Sequence, residues 1–239
     1  MTMYEQKAWK EMMAWQRQMQ RRPGFFNSLS KSLQNKINQY IPAKVHEAVT
    51  TAIKQMVRGV LFGAAHSTSV PLAGVNFEER ESALLKRIAF YQKTAAIEGG
   101  VTGAGGLLLG LADFPILLAI KIKLLFEIAS LYGLDINDYR ERVYLLHIFE
   151  LAFSSDQHRR QVYLKMVDWR SKAQALPDDI HAFDWRSFQQ EYRDYIDLAK
   201  MAQLIPLIGA PVGVVVNYRL LKKLGTTAVN AYRMRLLNV

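Results

Sequence analysis

Four glycines and one carboxylate recur at steps of four and three residues inside an apolar run, and this pattern restricts the chain more than any other feature. The run reads Gly99-Gly-Val-Thr-Gly103-Ala-Gly-Gly106-Leu-Leu-Leu-Gly110-Leu-Ala-Asp113-Phe-Pro115. On a helix, Gly99, Gly103, Gly106, Gly110 and Asp113 share one face. A face without side chains admits a second backbone at close range, and a carboxylate on it must find a partner. A partial echo follows at Pro206-Leu-Ile-Gly209-Ala-Pro-Val-Gly213-Val-Val-Val-Asn217. The expected architecture is therefore all-α: a compact multi-helix domain whose two Gly/Pro-interrupted apolar segments pack together at the centre. Asp113 and Asn217 are expected near each other there, as a central polar site.

No stretch alternates as a half-buried strand would, and almost every segment has helical period. Helices are predicted over 2–22 with the stripe Tyr4, Ala8, Met12, Trp15 and Met19, through Phe26–Tyr40, and over 43–62. Residues 63–77 read as a loop, and 78–98 as an amphipathic helix leading into the glycines. The residue before a proline avoids the α conformation, so a boundary is expected at Phe114, with Asp113 capping a helix over 115–132. Gly133 is the expected stop. Asp138 and Glu141 resemble a capping box that opens a helix to about Phe153. A further helix is predicted over 156–174, a turn at 176–179, and a long helix capped by Asp184. The segment 206–224 is expected to be divided by Gly225 from a basic C-terminal helix. Residues 1–62 thus form basic amphipathic N-terminal helices and 78–239 a helical core, within one continuous domain.

The formal charge of +10 is concentrated at the two ends. Residues 1–58 carry +7, residues 59–216 carry −2, and residues 217–239 carry +5. Lys7, Lys10, Arg17, Arg21 and Arg22 at one end, and Arg219, Lys222, Lys223, Arg233 and Arg235 at the other, point to contact with an anionic surface. Trp9, Trp15 and four early methionines make the first helix resemble an interfacial membrane helix, or equally an amphipathic helix packed on the domain. Residues 99–120 meet the roughly 20-residue length of a membrane span. However, Asp113 would cost about 2.5–3.5 kcal/mol at mid-bilayer, and the glycines add little apolar area. A span, a re-entrant segment and a buried hairpin are all compatible with this run.

Little chemistry is visible. A dinucleotide fingerprint from Gly103 would need glycine at position 108, which is leucine, and no predicted strand precedes it. The five histidines are scattered without metal-ligand spacing, and there is no cysteine, so neither a metal nor a cofactor is expected. No nucleophile elbow occurs, and no catalytic residue is assigned. Asp113 is the one carboxylate in a strongly apolar context. A nucleic-acid partner is disfavoured by the absence of any recognition motif.

The residues from Gly100 to Pro115, with Gly103, Gly106, Gly110 and Asp113, resemble the central signature of the EcsC family. Pro206 to Tyr218, with Gly209, Gly213 and Asn217, and the ending Ala231-Tyr232-Arg233-x-Arg235-Leu236 are similar to its later signatures. The resemblance implies a bacterial protein associated with a membrane or with an ABC transporter, and supplies no catalytic residue. The expected function is a non-enzymatic, peripheral membrane-associated accessory protein, lipid-binding or transporter-associated, on the cytoplasmic face of the cell membrane. An enzyme acting on a lipid-like substrate through Asp113 is the alternative, and a nucleic-acid-binding protein the weaker one. The oligomeric state is open.

Overall fold

The computed structural model describes residues 1–21, 43–62, 74–104, 106–154, 158–182, 184 and 209–237. Their regular elements are all helical: α1 (Met3–Gln20), α2 (Ala43–Phe62), α3 (Phe77–Ala104), α4 (Gly106–Leu131), α5 (Tyr139–Phe153), α6 (Arg159–Met166), α7 (Trp169–Gln174) and α8 (Gly209–Leu237), with a 3-10 turn at Ile180–Ala182. The expected all-α class is what is found. The helices predicted through Phe26–Tyr40 and after Asp184 lie outside the described residues, as does most of the 63–77 loop.

The core is a helical hairpin with a third helix laid along it. Arg87 meets Glu127 at 2.7 Å and the Tyr132 hydroxyl donates to Glu81 at 2.7 Å, so α4 runs back antiparallel to α3. Arg233 pairs with Glu81 at 2.6 Å and Gly225 lies against Ile88, which sets α8 antiparallel along the same helix. No other two described elements meet over so long a line. α1 covers α8 and α6, and α2 covers α4 and α5. Continuing the α3–α8 register brings the Gly99–Gly103 end of α3 level with the Gly209–Gly213 start of α8. The register thus sets the two glycine-bearing segments level with each other at one end of the bundle, not at its centre.

Five local expectations are corrected. First, Gly99 to Asp113 do not lie on one helix: α3 ends at Ala104 and α4 begins at Gly106, so the glycines straddle the reversal of the hairpin. Second, α4 continues through Pro115, so Asp113 lies two turns inside a helix and caps nothing. A proline inside a helix costs about 3 kcal/mol. Burial of Phe114, Leu117 and Leu118 beside it holds the helix, while the ring itself faces outward. Third, the 156–174 segment breaks into α6 and α7 at Asp168, whose φ of 54° is left-handed. Fourth, Asp138 caps α5 by accepting from the Arg140 amide, but Glu141 turns inward to α8 rather than back to the cap. Finally, Gly225 does not interrupt the last helix.

Gly225 instead faces the Ile88 side chain of α3 at close range. A Cβ placed there would stand 2.9 Å from Cγ2 of Ile88 and 3.2 Å from its Cδ1. Gly225→Ala is therefore expected to destabilise by about 1–3 kcal/mol through overpacking. In an Ile88→Ala background the clash is gone, and the same change becomes neutral or stabilising, because alanine exceeds glycine in a helix by about 1 kcal/mol. Urea midpoints of the four proteins check the sign reversal. An equal loss in both backgrounds would contradict it.

Candidate functional site

Several exposed apolar side chains of the described residues lie towards the hairpin end. On α3, Lys86, Phe90, Lys93 and Ile97 follow at steps of four, three and four and form one exposed stripe, with Phe90 56% and Ile97 68% exposed. Val214, Val215 and Tyr218 are exposed on the first turns of α8. The antiparallel register sets them level with Ile97, and the α3–α4 register brings exposed Ile116 to the same end. The segment joining them is sequence-apolar too, with Leu107, Leu108, Leu109 and Leu111. Lys86, Lys93, Arg219 and Lys222 border this surface, and none of the four makes an ion pair among the described residues. Among those residues no helix is long and apolar enough to cross a membrane.

The predicted basic ends divide into two groups. Lys7, Lys10, Arg17 and Arg21 are exposed on α1, and Arg219, Lys222 and Lys223 on α8, while Arg22 lies outside the described residues. Arg233 is buried and Arg235 half-buried, and both are engaged by internal carboxylates. Arg233 is buried and holds Glu81 through Nε at 2.8 Å and Nη2 at 2.6 Å, and Glu11 through Nη1 at 2.8 Å. Tyr4 and Tyr132 both donate to Glu81 at 2.7 Å, so this carboxylate receives hydrogen bonds from three elements. Burial, with Glu81 alongside, pushes the Tyr4 hydroxyl up to about 12. Arg235 holds Glu141 at 2.8 Å and stacks over Tyr144 at 4.4 Å. Burial raises Glu141 above the usual carboxylate range, against the pull of Arg235. The Ala231–Leu236 signature thus clamps α8 to α1, α3 and α5.

The apolar stripe of α1 is likewise consumed internally. Ala8, Met12, Trp15 and Met19 are buried in the core, so the first helix is packed on the domain and has no free apolar face of its own. Met3 and Trp9 are its exposed large apolar side chains, with Met1 just ahead of the helix. His147 is a satisfied core residue, with Nδ1 2.9 Å from Glu150. Among the described residues no three His, Asp or Glu converge as metal ligands.

Two polar side chains stand in the apolar centre without partners to match. Asn217 is buried, and its Oδ1 accepts no hydrogen bond among the described residues. Lys121 was not singled out by sequence reasoning, since it sits in an apolar run and its charge looked like the end of a buried face. It is 0% exposed, and among the described residues its ammonium reaches only the Leu117 carbonyl of its own helix, at 3.3 Å. Burial pushes it down to about 7. The Asp113 side chain lies outside the described atoms, so its expected contact with Asn217 remains a proposal.

A helical hairpin clamped by a long C-terminal helix, with glycine at its reversal and no convergent catalytic groups among the described residues, defines an all-α protein built for close helix contact. The chain belongs to the EcsC protein family, whose model matches residues 6–237. It is 42% identical over 229 residues to "Protein EcsC" of Bacillus subtilis (strain 168), covering 95% of this chain and 94% of that one. It is also 29% identical over 143 residues to "Uncharacterized protein YdbA" of the same strain, covering 59% of this chain and 52% of that one. No solved structure matches it.

Proposed function

We propose that the protein is a non-enzymatic accessory protein that docks peripherally on the cytoplasmic face of an anionic membrane, hairpin end first. The observation that carries this reading is that exposed Ile97, Ile116, Val214, Val215 and Tyr218 stand level at one end, with Lys93, Arg219 and Lys222 nearby and without ion pairs among the described residues. Apolar surface of this kind gains on leaving water, and cations near an anionic leaflet contribute about 1 kcal/mol each. The family resemblance adds an ABC transporter in that membrane as the protein partner.

Flotation with phosphatidylglycerol-containing and phosphatidylcholine vesicles tests it. Binding is expected to the anionic vesicles at low salt, to fall steeply at high salt, and to be lost in Ile97→Asp but kept in Asn137→Asp at the far end of the hairpin. Equal binding to neutral vesicles, or none to either, would overturn the reading.

A further inference from the structure

Beside the clamp, α1, α3 and α8 enclose a cleft of about 420 Å³, within the range of small-ligand sites. Its electrostatics are unbalanced. Glu11 is the one acid lining it, and that carboxylate is already taken by Arg233 at 2.8 Å. Lys7 from α1 and Lys222 from α8, one from each basic end of the sequence, also line the cleft and have no ion-pair partner among the described residues. Leu85, Ile88 and Val229 give it an apolar wall.

Hydrogen bonding in the cleft is unfinished as well. Gln92 is 7% exposed, and its carboxamide makes no hydrogen bond among the described residues. Asn230 is 6% exposed; its Nδ2 donates to the Thr226 carbonyl at 2.9 Å, but its Oδ1 is buried with no donor. An unmet buried acceptor costs about 1–3 kcal/mol. The Gln92 carboxamide, two cations without ion pairs among the described residues and an apolar wall call for one ligand with three properties: an anionic group for the lysines, a hydroxyl to donate to an amide oxygen, and an apolar part.

We propose that this cleft binds a hydroxyl-bearing phosphate ester of the glycerol-phosphate type, with the phosphatidylglycerol headgroup as its membrane source. The phosphate sits between Lys7 and Lys222, a glycerol hydroxyl donates to the Gln92 carboxamide, and the acyl side lies along Leu85 and Val229. The inference rests on the membrane reading only for the source of the ligand.

Calorimetric titration with monomeric short-chain lipids tests it on the full chain. Dihexanoyl phosphatidylglycerol is expected to bind about tenfold more tightly than dihexanoyl phosphatidylmethanol, which has the same charge and lacks the hydroxyls. Gln92→Leu should erase that preference while leaving phosphatidylmethanol binding and vesicle flotation unchanged. Lys7→Gln with Lys222→Gln should weaken both lipids. Ile97→Asp should leave the titration intact while abolishing flotation, so the two proposals fail separately. Glycerol phosphate binding as tightly as the lipid would support the site with a soluble ester as its ligand. Equal affinity for the two lipids, or no binding of any of the three, would overturn it.

Discussion

Arg233→Met is expected to lower folding stability by about 3–5 kcal/mol, the largest loss of any single change at the clamp. The guanidinium carries four-way order: it ties α8 to Glu81 of α3 and Glu11 of α1, and Glu81 in turn collects the hydroxyls of Tyr4 and Tyr132. Removing it leaves Glu81, which is buried, as a carboxylate without its cation. Glu11 is half exposed and simply returns to water. The asymmetry makes the prediction specific. Glu81→Gln added to Arg233→Met should recover a large part of the loss, because no unpaired charge then remains inside. Chemical denaturation followed by circular dichroism gives the cycle. Strict additivity of the two losses would show that the pair does not act as a unit.

The second large effect has the opposite sign. Lys121→Met should stabilise the protein, since an ammonium is replaced by an apolar chain of similar length in a fully buried place. Burial pulls Lys121 from its ordinary 10.5 down to about 7. The folded state therefore disfavours the charged form, and the penalty is fully present below pH 7. Between pH 7 and 10.5 the unfolded chain holds a proton that the folded chain does not, so wild-type stability rises with pH through that window. The gap between the two values corresponds to about 4–5 kcal/mol. The advantage of Lys121→Met should be near that size at pH 6 and shrink towards nothing by pH 10.5. A variant that is less stable at every pH, with a constant difference, would mean that the amine makes an interaction the fold needs.

The features legible in the sequence are those decided within a few residues. Spacing alone placed Ala8, Met12, Trp15 and Met19 on the inner face of α1, and Gly133 does end α4 with φ of 84°. Asp138 does cap α5. What was misread depends on partners far along the chain. Nothing near Arg233 signals that it is internal, because Glu81 stands 152 positions away. Pro115 and Gly225 carry strong local breaking signals, yet Phe114, Leu117 and Leu118 on one helix and Ile88 opposite the other hold both helices continuous. On α2, nothing local in the sequence marks Ile53, Val57 and Leu61, which join Ala52 and Val60 in the core. The glycine and asparagine signatures were visible as motifs. The exposed apolar end and the cleft were not, because each is assembled from helices more than a hundred residues apart in sequence.

The central claim is that the hairpin end faces the membrane, and the absence of cysteine makes it directly measurable. A single nitroxide at Ile97→Cys, and a control at Asn137→Cys, can be read by accessibility to oxygen and to a water-soluble relaxant on anionic vesicles. The hairpin register sets Ile97 level with about residue 117 of α4, so at 1.5 Å per residue the two labels stand about 30 Å apart along the bundle. The account predicts that the Ile97 label becomes oxygen-accessible and shielded from the relaxant on binding, while the Asn137 label stays in water. A bound protein whose Ile97 label remains as wet as the Asn137 label would contradict it.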